Sequence, residues 1–216
     1  MVSMKTLTSH DEWLASRKRI GGSDAASVLG MNPWRSNVEL WRIKTGRQKQ
    51  EDISEEDFVK YGTEAEKYLR SLFALDFPQY KVEYIENNLW LNDKYPFAHA
   101  SLDGWLYDEQ DRKGIFEQKT TNITSPIQKQ KWENRIPDNY YCQVLHYLMV
   151  TEFSFAVLKV QMKYQYTQDD VVTICKHYHI ERSEVEDDIK ALEQAERKFW
   201  GYVVDDKEPP LLLPDI

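Results

Sequence analysis

The sequence predicts a mixed α/β domain: a central mixed β-sheet flanked by helices. Three observations predict it. Apolar residues recur at helical spacing near both ends of the chain. They switch to two-residue alternation through the middle, and clusters of Gly, Pro, Asn and Asp separate the segments. Helix-rich ends around alternating strands leave a sheet whose faces need covering. The 216 residues suit one domain over 1–216, with an N-terminal helical region to about residue 75, a sheet core from about 80 to 180 and a C-terminal helix from about 183 to 204.

Each element has its own signal. SHDEWLASRK, residues 9–18, reads as a short helix capped near Ser9 or Asp11. SDAASVLG is a second helix, opened by Ser23 or Asp24 and closed by Gly30; MNPW is a turn, and NVELWRIKTG a third helix ending at Gly46. Residues 47–55 are charged and polar, a loop. From Ser54 or Glu55 to Ala74, Phe58, Tyr61, Ala65, Leu69, Leu72 and Phe73 recur at helical spacing. YKVEYIENNLWLN alternates as a hairpin or two short strands. FAHASLDGWLYD is a strand, DEQDRKG a turn and IFEQKTT the next strand. SPIQKQKWENR begins a helix with Ser125 and Pro126 at its start, and PDNYYCQVLHYLMVT is a strongly apolar helix. FSFAVLKVQMKYQYT and DVVTICKHYHIER are long alternating strands, and SEVEDDIKALEQAERKFWGYVV is a final amphipathic helix.

Composition narrows the class. With 41% hydrophobic and 13% aromatic residues the chain can build a core, and no apolar run approaches a membrane span or a signal peptide. Cys142 and Cys175 are too few for a disulfide framework or a four-thiolate cluster, which predicts a soluble protein of a reducing compartment. A net charge of −8 argues against a passive nucleic-acid coat but not against a DNA enzyme, because cations concentrate locally: Arg17-Lys18-Arg19, then Arg42, Lys44, Arg47 and Lys49, then Lys129 and Lys131. His99, His146, His177 and His179 fit no zinc spacing.

SLDGWLYDEQDRKGIFEQKTT, residues 101–121, carries the chemistry. Residues two apart on a strand share a face, so Glu117 and Lys119 point together and Gln118 points away. Pairing of the two strands brings Asp103 beside Glu117. Two carboxylates and the Gln118 backbone carbonyl are hard oxygen donors suited to Mg²⁺, with Mn²⁺ as a substitute. Lys119 then orients or deprotonates a water and stabilises charge on phosphorus. The same spacing also fits a solvated hairpin with ordinary surface charges. In the glycine turn before SDAASVLG, Ser23 opens either an ordinary capped structural helix or one whose free N–H groups hold an anion, with Arg17 or Arg19 adding a bidentate contact. Gln143 sits in an apolar helix and needs a partner for its amide. Trp34 or Trp132 is a candidate for stacking on a frayed base.

ASLDGW and IFEQKTT resemble the catalytic hairpin of the PD-(D/E)xK nucleases, and the chain resembles the phage recombination exonucleases of the YqaJ and lambda-exonuclease family. EWLASRKRIGGSDAASVLG resembles that family's opening motif, YGTEAEKYLRSLF its Gly-x-x-x-Glu helix, YYCQVLHYLMVT its Gln-containing helix and KFWGYVV its last helix. The resemblance implies Asp103, Glu117, Lys119, Gln143 and Glu66 as catalytic residues, Glu66 standing on the metal side, and a 5′-phosphate pocket of Arg17, Arg19 and Ser23. It implies a Mg²⁺-dependent 5′-to-3′ exonuclease on double-stranded DNA ends that leaves 3′ tails for strand-annealing recombination. With it come a homotrimeric ring, a single-strand annealing protein as partner, and a phage or prophage origin in the cytoplasm of a bacterial host. The alternatives are an endonuclease or repair nuclease of the same superfamily, and a non-catalytic DNA-end or protein-binding module that keeps the fold.

Overall fold

The computed structural model describes residues 1–133, 135–165 and 170–213. A five-stranded mixed sheet runs through its centre. The strands are β2 (Lys81–Glu83), β4 (Gly104–Tyr107), β5 (Lys113–Asn122), β6 (Phe155–Gln165) and β7 (Val171–Glu181), in the order β2-β4-β5-β6-β7. Among the described strands of this sheet only β5 and β6 pair in parallel. A parallel pair needs a crossover, and α5 (Pro126–Gln130) and α6 (Asp138–Thr151) supply it. A separate antiparallel ribbon joins β1 (Val2–Thr6) to β3 (Asn88–Asn92).

Alternation along β5 assigns the two faces. Ile115 packs in one core with Val144, Leu148 and Met149 of α6 and with Ala25 and Ala26 of α2 (Gly22–Val28). Phe116 points the other way, into a smaller cluster with Leu106, Phe155 and Phe73 of α4 (Asp57–Asp76). The sheet therefore lies between α4 and α6. α6 is buried from Cys142 to Thr151 without a break, so water reaches none of its sides there. α7 (Glu186–Val204) closes the outside of α6, where the His146 Nδ1 lies 2.7 Å from a Glu196 carboxylate oxygen with both side chains wholly buried. The His146 Nε2 reaches the His99 carbonyl at 2.8 Å. Burial alone would lower the His146 pKa, but the Glu196 charge and hydrogen bond outweigh it and raise it above its ordinary value.

Several boundaries differ from the sequence expectation, each for a local reason. β1 was not expected, since five residues with only Val2 and Met4 half-buried give little pattern; its register with β3 makes it a strand. The segment 80–92 is two short strands, as one of the two expectations had it, rather than a hairpin: Asn87, at φ 55°, turns the chain so that β2 and β3 enter different sheets. In 97–108 only Gly104–Tyr107 is a strand. Phe97, Ala98, Ala100 and Leu102 are buried because this stretch threads the core, touching Ile20 and Trp90 by single bridges at Ala98 and Ala100. α2 opens at Gly22 rather than at Ser23 or Asp24, because the Asp24 carboxylate turns back to accept the Gly21 N–H at 3.0 Å. α1 (His10–Ser16) and α3 (Asn37–Lys44) fall where expected, and Gly46, at φ 75°, ends the α3 turn. Residues 166–167, which the sequence expectation gives to the strand that begins near Phe153, and residue 134, at the end of the helix expected from Ser125, lie outside the described residues.

α2 crosses α6 at the closest approach that a glycine permits. A Cβ at Gly22 would stand 2.4 Å from the buried Tyr147 ring. Gly22→Ala therefore overpacks this crossing and costs roughly 1–3 kcal/mol, a Tm drop of about 2–12 °C at this chain size. Gly201→Ala, in α7 with nothing within 4 Å of the added carbon, raises Tm instead, by roughly 0.5–1 kcal/mol of helix propensity. Thermal unfolding followed by circular dichroism measures both; a neutral Gly22→Ala would contradict the packing.

Candidate active site

The end of β4 opens the site. β4 pairs with β5 only from Gly104, opposite Phe116, so two residues further along β5 the backbone of Gln118 has no β4 partner. Asp103 fills that gap: its Oδ2 accepts the Gln118 N–H at 3.0 Å, and its carbonyl accepts an Arg70 Nη1 hydrogen at 2.6 Å. A strand residue points its N–H and C=O to the same side, so the Gln118 carbonyl faces the same opening. The Gln118 side chain goes to the other face, where its Nε2 donates to the Glu66 carbonyl of α4 at 3.0 Å.

Glu117 and Lys119 point together toward α6. Lys119 Nζ donates to Glu117 Oε1 at 2.6 Å, and Gln143 Nε2 donates to the same oxygen at 2.9 Å. Gln143 Nε2 also donates to the Tyr147 hydroxyl at 2.8 Å, one helical turn away. Glu117 is 2% exposed, and its second oxygen, Oε2, is buried with no hydrogen-bond partner among the described residues. Burial and then the Asp103 charge push the Glu117 carboxyl up to about 8, and burial and then Asp103 push Glu66 up to about 7. Burial also raises Asp103, against the pull of Lys119 and the Gln118 N–H. Burial would lower Lys119, but the Glu117 and Asp103 carboxylates dominate and hold it above its ordinary value.

Glu66, Gln118, Lys119, Gln143 and Ser23 line one cleft of about 450 Å³. Asp103 and Glu117 join it through Gln118 and Lys119. Arg17 and Arg19 do not point into that cleft. Arg17 donates to Gln50 at 2.8 Å, lies over the Trp13 ring and lines a neighbouring cavity, while Arg19 Nε donates to the Pro96 carbonyl at 3.1 Å. Sequence reasoning missed three partners. Tyr147 stands four residues after Gln143, on the same helical face, and that spacing was the available signal. Arg70, one turn beyond Glu66, is the second. The third is Asp24, held by Lys44 at 2.6 Å and Arg35 at 2.7 Å, which hold its carboxyl down at about 2 against the opposing effect of burial. Trp34 is exposed, whereas Trp132 is buried beside Tyr140 and Tyr178 and cannot stack on a base.

The donor set suits a hard divalent cation. Crowded carboxylates with raised pKa values and an unpartnered buried Glu117 oxygen are what such a charge relieves. Among the described residues no three His, Cys, Asp or Glu side chains form a metal-holding group by themselves. A cation here would draw on Asp103, Glu117, the Gln118 carbonyl and water, with Glu66 nearby.

A family model, the YqaJ-like viral recombinase domain, matches residues 12–154, well over half of the chain. The chain belongs to the YqaJ-like viral recombinase family. Within it, an uncharacterized protein, YqaJ of Bacillus subtilis (strain 168), is 34% identical over 146 residues, which are 66% of this chain and 42% of that protein. Among solved structures, an alkaline exonuclease from Laribacter hongkongensis, LHK-Exo, superposes with a TM-score of 0.61 at 15% identity, over 91% of this chain and 93% of the other. Its complex with dAMP gives 0.62 at 16% identity over the same shares of the two chains. The chain thus shares the fold of LHK-Exo, and the YqaJ-like segment contains every residue of the cleft.

The raised carboxyls set a pH dependence. Glu117 and Glu66 bind protons more tightly in the fold than unfolded, from an ordinary 4.5 to about 8 and about 7. Their contribution to stability is fully present below about pH 4.5 and is lost as pH rises through about 7–8. In EDTA, Tm therefore falls between about pH 5 and pH 9, Glu117→Gln flattens most of that fall, and Mg²⁺ offsets it at the alkaline end. An EDTA profile that is flat or rises over this range would contradict the buried, coupled carboxylates.

Proposed function

We propose that the chain is a metal-dependent exodeoxyribonuclease that digests one strand of double-stranded DNA from a 5′ end and leaves a 3′ single-stranded tail for strand-annealing recombination. One observation carries the reading. Lys119, Glu117 and Asp103 converge at the end of β4, in a cleft that Gln143 and Ser23 also line. Family membership and the fold of an alkaline exonuclease support it.

Each side chain has a task set by its bonds. Lys119 has three N–H donors, and one is spent on Glu117, which leaves two for a non-bridging phosphate oxygen and the attacking water. Both Gln143 amide hydrogens are spent, on Glu117 and on the Tyr147 hydroxyl, so its carbonyl oxygen is the free end and accepts a hydrogen from that water. Asp103, bonded to the Gln118 N–H, and Glu117 hold negative charge where Mg²⁺, or Mn²⁺ in its place, would bind with the Gln118 carbonyl and Glu66. When bound, the cation supplies Lewis-acid stabilisation of charge on the phosphate and a more acidic water. Ser23, exposed in the cleft, takes the terminal 5′ phosphate, with positive charge added by Arg17, which lines the adjoining cavity, and by Arg19 two residues on. The reading extends to a homotrimer around the duplex and an annealing protein that receives the tail, in the cytoplasm of a bacterium that carries the phage or prophage. No helix among the described residues is long and apolar enough to cross a membrane.

End-labelled linear duplexes test the reading. Mg²⁺ should support release of mononucleotides from 5′-phosphorylated ends, with slower release from 5′-hydroxyl ends and no nicking of closed circles. Nicked circles would make it an endonuclease, and absence of cleavage with any divalent ion would make it a binding module. Lys119→Ala is expected to lower cleavage by at least about 100-fold while duplex-end affinity stays within about threefold. Retained cleavage in that variant would remove Lys119 from the chemistry.

A further inference from the structure

Beside the catalytic cleft lies a second, larger groove of about 1190 Å³. The two share Trp34, Phe58, Ile53 and Thr120 in their linings, so they are continuous. None of Asp103, Glu117, Lys119 or Gln143 lines the larger one. A strand lying there is held and not cut.

We propose that this groove binds unpaired, single-stranded nucleic acid by stacking its bases on Trp34 and Phe58. The identity of the strand rests on the nuclease reading above, whereas the stacking itself does not. Trp34 is 75% exposed and Phe58 60%, and both stand where the two cavities meet. The Trp34 backbone is fixed on both sides. Its N–H donates to Asn32 Oδ1 at 2.9 Å, and the next residue, Arg35, is bonded to Ser27, the Ser23 carbonyl and Asp24. A large indole on an anchored backbone, left in water, gains nothing from folding and offers a rigid flat surface to a ligand. Phe58, in the first turn of α4, lines the same two cavities.

The charges of the groove favour stacking over phosphate attraction. Arg35 and Lys163 line it, Lys163 lying 3.3 Å over the Tyr61 ring, but so do Glu39, Glu51 and Asp57. Glu39 is occupied by its cap on Ser36, and Arg35 by Asp24. The remaining charges are one cation, Lys163, against two anions, Glu51 and Asp57, so the lining lacks the cationic surplus that an intact duplex backbone demands. A duplex also keeps its base faces inside the stack; only unpaired bases can use Trp34 and Phe58.

Binding without cleavage tests this independently of catalysis. Fluorescence anisotropy in EDTA would compare a single-stranded oligonucleotide, a 3′-tailed duplex, a 5′-tailed duplex and a blunt duplex. Trp34→Ala is expected to weaken binding of the single strand and of one tailed duplex by about tenfold, with Trp34→Phe keeping most of the affinity and blunt-duplex affinity within about twofold of wild type. The salt dependence of single-strand binding should be shallow. Trp34 is exposed, so these variants fold, and circular dichroism checks that they do. A stronger effect on the 3′-tailed duplex identifies the occupant as the spared strand, and on the 5′-tailed duplex as the strand approaching the cleft; either supports the groove. Unchanged affinity in Trp34→Ala, or an equal loss on blunt duplex, overturns it. Loss of Lys119-dependent cleavage activity would leave this measurement untouched, so the two readings fail separately.

Discussion

A carboxylate is held almost entirely out of water at residue 117, and the surrounding architecture follows from what that costs. An isolated buried carboxylate is expensive enough that it protonates or finds partners. Glu117 has two donors on one oxygen, Lys119 from its own strand and Gln143 from α6, and none on the other among the described residues. The first pair is local and follows from strand alternation alone. The second requires α6 to be seated against the sheet at one height, which is why a helix buried on every side carries a glutamine in its first half.

The seating of α6 is in turn fixed by α2. Gly22 lets the two helices close until Tyr147 lies against the glycine, and Tyr147 is the residue that accepts the second amide hydrogen of Gln143. The turn before α2 is stiffened by Asp24, which closes on Gly21 and is locked by Lys44 and Arg35. A glycine pair that reads in sequence as an anion-binding turn thus also sets the distance between a helix and β5. Ser23, exposed at the same turn, faces the cleft as a result.

The legible and illegible parts of the sequence divide on physical grounds. Glu117 and Lys119 could be placed together because strand periodicity is local, and the sheet and the long helices could be read because their apolar periods run for ten residues or more. Asp103 was readable as a neighbour of Glu117, but its position one residue before β4 was not. The apolar run from Phe97 to Leu102 looks like a strand, yet its burial comes from threading between Ile20 and Trp90. The β1–β3 ribbon stayed hidden because its two strands lie more than eighty residues apart and each is short. Arg70, Tyr147 and the Asp24 network depend on contacts between elements, which no period encodes. The opposite fates of Trp34 and Trp132, one in water and one in the core, are likewise decided by tertiary packing.

The buried pair between His146 and Glu196 bears on where the molecule can be divided. The YqaJ-like match stops at residue 154, before β6 begins, whereas Glu196 lies on α7. A fragment cut at that boundary would keep every cleft side chain and still lose the carboxylate that balances a wholly enclosed imidazole, along with the strand that flanks β5. Stranding one member of such a pair typically costs about 3–5 kcal/mol, a large share of an ordinary domain's net stability. The segment that the family model matches and the segment that completes the core around His146 are therefore different, the second extending through α7.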